Sequence, residues 1–337
     1  MLKVAIIGLR HPHIFSIKGD VEATPGAKLV AVAEDEPSLQ AKAESLGVPV
    51  YQDWRRMLER ERPDVVAACP VNAEKGAVIS ECLERDLHVI ADKPLVTTLE
   101  DLEAVSAAWA GSGKRLLLML TLRYDAPFVA LRRFVNEGGL GAPAAMYCTG
   151  PHRLNLPSRY PWMLRDDLCG GVLVDLGCHF VDAVRWIARS APGCAEDEVL
   201  AVSATQGCKR FTDLPNFTDY GQVLLRLSSG ASGLVQADWL SPDAAPYHGD
   251  MRFSITGTQG TAEVRYWPWP QVLVATNDRP PYALDLGPTP PSVGEDFLRA
   301  ILEERETQLS TEDCLAATRL TLLARKAAET GTTVTVS

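Results

Sequence analysis

Three side chains in this sequence have the types and the surroundings for proton and charge chemistry: Lys93, Asp175 and His179. Lys93 stands in HVIADKPLVTT, just past the C-terminal end of a run that reads as a parallel strand, with Pro94 next to it. Ligands of open α/β sheets bind outside those strand ends. Asp175 and His179 stand four residues apart in GGVLVDLGCHFVDAVRW, a spacing that puts them on one helix face with Asp182. Leu173, Leu176, Phe180, Val184 and Ile187 make the opposite, apolar stripe. Taken alone, such a polar face is more often solvated, and a lone lysine more often a surface charge.

A second set of residues opens the chain. VAIIGLRHPH carries a short apolar strand and then Gly8, as at the entry to a dinucleotide-binding unit, but Arg10 and His13 occupy the positions where that turn prefers small residues. A guanidinium beside a helix N-terminus could reinforce anion binding; a generic strand-to-helix turn is the plainer reading. Glu34 ends the second strand, about 20 residues on, where a carboxylate accepts hydrogen bonds from an adenosine ribose. Asp35 and Glu36 follow it. This acidic rim would repel a 2′-phosphate and so favours NAD over NADP.

The elements that must position these residues alternate at first. Strands read as KVAIIG, Lys28 to Glu34, DVVAACP, HVIAD and RLLLML, with amphipathic helices between them, one of which Thr98 caps. Short strands of β-branched and small apolar residues between helices imply a parallel sheet covered on both faces. The spacing predicts a doubly wound α/β domain over 1–122. The rest, 123–337, has longer strands with glycine-rich turns around SSGASG and GTQGT. It reads as an α+β domain on an open, mainly antiparallel sheet.

The chain has 337 residues, 46% of them hydrophobic and 23% charged, which suits two globular domains and excludes disorder. A net charge of −10 argues against a nucleic-acid surface, which needs a basic stripe. The longest apolar run, Leu116 to Leu122, is far short of the ~20 residues of a membrane helix and reads as a buried strand. No secretory leader is read at the N-terminus. The eight cysteines (Cys69, Cys82, Cys148, Cys169, Cys178, Cys194, Cys208 and Cys314) are scattered singly, as small hydrophobes in a reducing cytoplasm. The spacing of His11, His13 and Cys178 is a weak metal signal, and no metal is expected.

Together these motifs resemble the Gfo/Idh/MocA family (glucose–fructose oxidoreductase and inositol dehydrogenase). ADKP resembles its Glu-Lys-Pro signature, with Asp92 in place of the glutamate. GGVLVDLGCHFVDAVRW resembles its Gly-Gly-x-x-x-Asp-x-x-x-His segment, the most specific match. LRYDAP, GTQGTAEV and EDFLRAI fit in order, so the likeness runs end to end. The departures are GLRHPH at the turn and CPVNAEK, which carries Val71 and Glu74 where the family has a Thr-Pro-Asn…His pattern. The resemblance implies a Rossmann domain followed by an open-sheet domain, with Lys93, Asp175 and His179 as the catalytic constellation. It implies that Gly8, Glu34 and Pro70 border a nicotinamide dinucleotide, and Arg10, His13, Asp92 and Lys93 are further candidates to line that site.

The expected reaction is hydride transfer between a secondary alcohol of a sugar, cyclitol or related polyol and NAD. His179, with an ordinary pKa near 6.5, suits a general base; Asp175 would hold a substrate hydroxyl or the imidazole, and Lys93 would stabilise charge on the reacting oxygen. Arg123, Tyr124, Trp162 and Arg165 are candidate substrate contacts that no motif interprets, as is Tyr247. Trp267 and Trp269 could stack on a sugar, although apolar packing is the blander account. Two alternatives stand beside this reading: an NAD-dependent glycoside hydrolase working by transient oxidation and elimination, and a non-catalytic dinucleotide-binding sensor. A broad sheet with one uncovered face also implies a homodimer or homotetramer.

Overall fold

The computed structural model describes residues 1–336 and divides them into two compact units, 1–120 with 291–318 and 121–290 with 319–336. In the first, six strands form a parallel sheet: β1 (Leu2–Ile7), β2 (Ala27–Ala33), β3 (Val50–Tyr51), β4 (Val65–Ala68), β5 (His88–Ala91) and β6 (Leu116–Leu118). Their order is β3-β2-β1-β4-β5-β6, the doubly wound order whose direction switches between β1 and β4. Val4 to Ile7 and all of β4 are buried without alternation, as strands covered on both faces must be. The helices between them are α1 (Ser16–Glu22), α2 (Gln40–Glu44), α3 (Trp54–Glu61), α4 (Lys75–Glu84) and α5 (Leu99–Ser112). Thr98 caps α5 as its sequence predicts, its hydroxyl accepting from the Asp101 amide at 3.0 Å.

The sequence places residues 291–318 in the second domain, and the structure corrects this. Ser292 caps a helix over Val293–Leu302 and donates to Asp20 at 2.6 Å. Thr311 bonds both backbone groups of Leu116, donating to its carbonyl at 2.7 Å, and Cys314 Sγ accepts from the Leu118 amide at 3.2 Å. The outer side of β6 would otherwise be an open sheet edge, and these groups cover it.

The second unit is built on nine strands: β7 (Pro143–Pro151), β8 (Val199–Gly207), β9 (Tyr220–Leu227), β10 (Ser232–Asp238), β11 (Arg252–Gly257), β12 (Gly260–Arg265), β13 (Gln271–Thr276), β14 (Arg279–Ala283) and β15 (Val334–Thr335). They run β14-β13-β12-β11-β7-β10-β9-β8-β15, antiparallel throughout except for the β7–β10 pair. Helices α6 (Ala126–Asn136), α7 (Asp166–Cys169), α8 (Gly171–Asp175) and α9 (Gly177–Ser190) belong to this unit. The apolar stripe of α9 lies on one sheet face, through gaps left by glycines. A Cβ on Gly150 would stand 1.8 Å from the Phe180 ring, and one on Gly233 would stand 2.4 Å from Val184. Along β9, Gly221, Val223, Leu225 and Leu227 are buried while Gln222, Leu224 and Arg226 are exposed, so the other face is uncovered within this unit.

Two expectations about this unit change. The single helix read across GGVLVDLGCHFVDAVRW is broken at Leu176 into α8 and α9. Trp267 and Trp269 are 40% and 64% exposed and are not packed away; the Trp267 ring lies 5.2 Å from that of Tyr247. Among the described residues no helix is long and apolar enough to cross a membrane, and the eight cysteines are free thiols, six of them buried.

Candidate active site

In the first unit, β1 ends on Gly8, whose φ of +78° and position leave no room for a side chain: a Cβ there would stand 2.5 Å from the Cys69 carbonyl oxygen and 2.7 Å from Pro70 N. Backbone bonds from Gly8 N to Ala33 O (2.8 Å) and from Arg10 N to Cys69 O (3.1 Å) fasten the turn to β2 and β4. The tight first-glycine turn of a dinucleotide site is therefore present. The Glu34 carboxylate, fully enclosed, accepts from Leu9 N at 2.6 Å and from Glu36 N at 2.7 Å. The turn thus commits its own Leu9 and Arg10 amides internally.

Arg10 departs from expectation. Its guanidinium turns to the end of β2, pairing with Glu34 at 3.0 Å, Glu36 at 3.1 Å and Asp35. A pyrophosphate contact would require it to leave three carboxylates, so the structure places Arg10 with the acidic rim.

His13 and Asp92 belong to one cluster with His11. Asp92 follows β5 and is wholly buried. Its Oδ2 lies 2.8 Å from His11 Nδ1, its Oδ1 lies 3.1 Å from His13 Nδ1, and Oδ1 also accepts from Lys93 N at 2.8 Å. Burial alone would raise the pKa of Asp92, but His11, His13 and Lys75 hold it well below the usual carboxylate range. Burial, with the charge of Lys93, pushes His11 down to about 4 against the opposing pull of Asp92, so it is neutral at pH 7. Cys178, the other residue of the weak metal signal, lies in the second unit, where its thiol donates to Asp175 O.

Lys93 itself is 4% exposed, and its loop is fixed by a residue that sequence reasoning passed over. Lys75, in the first turn of α4, is fully buried and donates to the carbonyls of Asp92, Lys93 and Pro94 at 2.8, 2.9 and 3.0 Å. The only signal was a lysine among apolar residues near a helix start, a pattern that reads as a surface charge.

In the second unit, Gly170 and Gly171 (φ +97° and +78°) end α7 and start α8. Thr218 Oγ1 accepts from Val172 N at 3.1 Å, and α8 then ends on Asp175. After the break at Leu176, His179 stands in the first turn of α9, 8% exposed. Asp182 is completely buried and is not part of a solvated face. It takes a two-pronged pair from Arg123, Nε to Oδ2 at 2.8 Å and Nη2 to Oδ1 at 2.6 Å. The Arg123 guanidinium also lies 5.3 Å from the Trp186 ring.

This removes Arg123 from the candidate substrate contacts: it locks the turn Thr121–Tyr124 to α9. Arg165 is likewise engaged, pairing with Asp167 at the surface. Tyr124 is 7% exposed, and Trp162 has a buried indole N–H with no acceptor among the described residues. Arg159 was not foreseen. It donates to Leu154 O at 2.8 Å, and burial lowers its pKa against the pull of the Asp175 charge. No sequence motif marks it.

A doubly wound sheet with a tight glycine turn after β1 and a carboxylate at the end of β2 defines a dinucleotide-binding protein of the Rossmann class. The chain belongs to the Gfo/Idh/MocA family: residues 2–120 match the oxidoreductase family with an NAD-binding Rossmann fold, and residues 128–263 match the family's C-terminal domain. It is similar to a scyllo-inositol 2-dehydrogenase (NAD(+)) of Bacillus subtilis, 26% identical over 267 residues, 77% of this chain and 72% of that one. It is also similar to a myo-inositol 2-dehydrogenase of Thermotoga maritima, 26% identical over 77% of this chain and 74% of the relative. A solved levoglucosan dehydrogenase in complex with NADH shares the fold, with a TM-score of 0.84 over 100% of this chain and 99% of that one, at 22% identity.

Proposed function

We propose that the protein is a dehydrogenase that moves a hydride between a secondary alcohol of a sugar, cyclitol or related polyol and NAD, with His179 as general base. The observation that carries this reading is the placing of Asp175 and His179 on either side of the α8–α9 break, the histidine enclosed, in a chain of an NAD-binding oxidoreductase family. The names of the two inositol dehydrogenases support the substrate class.

The first unit suits the dinucleotide at Gly8, Glu34 and Pro70, where a side chain on Gly8 would fill the turn. Bound nicotinamide supplies the carbon that accepts the hydride, and the protein supplies position and charge. When the carbinol C–H bond breaks with its electron pair, the hydroxyl proton has to leave as well. His179 takes that proton; Asp175 holds a neighbouring hydroxyl or the imidazole. Lys93, held in place through its loop by Lys75, hydrogen-bonds the reacting oxygen and stabilises its developing charge. The unpartnered Trp162 N–H can donate to a ring or hydroxyl oxygen of the substrate. NAD is favoured over NADP because three carboxylates face one guanidinium at the end of β2.

A screen of cyclitols, aldoses and polyols, read by absorbance of the reduced cofactor, tests the reading. Net NADH should form with at least one secondary alcohol. His179→Asn should lower turnover roughly 10²–10⁴-fold, the usual contribution of a positioned acid–base group, and leave the NAD dissociation constant nearly unchanged. Lys93→Met should also slow turnover, and the double variant should be less than additive because both groups act on one proton transfer. An active His179→Asn enzyme with an unaltered pH profile would pass the base role to Lys93.

A further inference from the structure

The loop after β1 and the residue after β5 bring together three donors that the proposed hydride transfer does not use. One ring nitrogen each of His11 and His13 and a carboxylate oxygen of Asp92 all lie within 4.8 Å of one another, in residues of the first unit alone. We propose that His11, His13 and Asp92 form a three-ligand site for a divalent transition-metal ion of the zinc class, with a fourth position open.

Four observations carry this. First, both imidazoles aim the same nitrogen at the two oxygens of one carboxylate, at 2.8 and 3.1 Å. A nitrogen lone pair can face a carboxylate oxygen at that distance only with a proton or a cation between them, and one cation placed centrally serves both gaps. A tetrahedral zinc ion with ligands at ~2.0–2.2 Å separates its donors by roughly 3.3–3.6 Å; with every donor within 4.8 Å of the others, side-chain shifts of up to roughly 1 Å convert the apposition into coordination.

Second, the donor set is chemically selective. Two imidazoles and one carboxylate suit zinc and cobalt, whereas calcium and magnesium want oxygen alone. The nearby ammonium charges of Lys93 and Lys75 oppose any cation held by charge alone, which sharpens that selection.

Third, the ligands are preorganised. Pro12 stands between the two histidines at the first position of a short 3₁₀ turn, Pro12–Phe15. Asp92 is anchored by the Lys93 amide at 2.8 Å, and its own carbonyl by Lys75. The His13 amide reaches His11 Nδ1 at 3.4 Å, too long to fix the tautomer that coordination needs. Fourth, the His13 side chain is 41% exposed, which gives an ion a way in and leaves room for a water or substrate oxygen at the fourth position.

The test uses the full chain after treatment with a chelator and needs no turnover. Cobalt(II) is titrated in and followed by its visible ligand-field absorption, and zinc(II) is then titrated in calorimetrically and by displacement of cobalt. One ion per chain is expected, with a tetrahedral-type cobalt spectrum. His13→Ala, at an exposed position that the fold tolerates, should weaken binding by more than the roughly 10–100-fold that loss of an outer-shell partner costs. His11→Ala should do the same, with circular dichroism verifying that both variants are folded. Unchanged cobalt affinity in His13→Ala would place the ion elsewhere on the chain and overturn the proposal. So would the absence of stoichiometric binding in the micromolar range, which would leave two plain histidine–carboxylate hydrogen bonds.

Discussion

At the scale of single residues, Arg10 and Lys75 show how burial redirects a charge. Arg10 reads in sequence as a pyrophosphate ligand, but the guanidinium is held by carboxylates from the end of another strand. Arg10→Ala should therefore leave NAD affinity within about tenfold of the parent, roughly 1.4 kcal/mol. It should weaken NADP more, because three carboxylates would then face the added phosphate alone. Calorimetry with both cofactors checks this, and a large loss of NAD affinity would mean that Arg10 swings onto the pyrophosphate when the cofactor binds. Lys75→Met strips three buried carbonyls of their donor, and a buried polar group left unpaired costs about 1–3 kcal/mol. Both the unfolding midpoint and turnover should fall, since the carbonyls belong to the Lys93 loop. The position of Lys93 after its strand was legible in the sequence. What holds it was not, because the supporting lysine is 18 residues away on a helix whose burial no local pattern reveals.

At the scale of elements, His88 makes stability depend on pH. It opens β5, its Nδ1 accepts from the Arg115 amide at 3.1 Å, and burial, with Lys114 and Arg115, pushes its pKa from 6.5 to about 4. Between those values the unfolded chain binds a proton that the folded chain refuses, so stability rises with pH there and is lost as pH falls from 6.5 toward 4. Denaturant midpoints measured across this window should drop, and His88→Gln should flatten the slope. A slope unchanged in that variant would assign the effect to other groups. The alternation of strands and helices that builds this unit was readable from periodicity. The break at Leu176 was not, because GGVLVDLGCHFVDAVRW keeps a helical apolar repeat straight through it. Nor was the burial of Asp182, whose partner Arg123 lies 59 residues earlier and carries no motif.

At the scale of the whole molecule, the nine-stranded sheet predicts association. Its uncovered face exposes Tyr147 and Leu224, at 40% and 47%, and large contiguous apolar faces left in water are uncommon on monomers. Light scattering at micromolar concentration should find a dimer or tetramer, and Leu224→Glu should shift it toward monomer; a monomeric parent protein would remove the claim. The two-domain plan could be read from the change in strand character after residue 122. The return of residues 291–318 to the first unit could not, because its helices are ordinary and only their contacts with Asp20, Leu116 and Leu118 show where they belong. That return has a consequence for the order in which the protein is made. Domains usually fold in the sequence in which they leave the ribosome, yet here the last cover on the β6 edge is translated after residues 121–290 of the second unit. The nascent Rossmann unit must wait for about 170 further residues with its edge strand open, so a chain stalled before residue 291 should be sensitive to protease at β6 and a chain released after residue 318 should not.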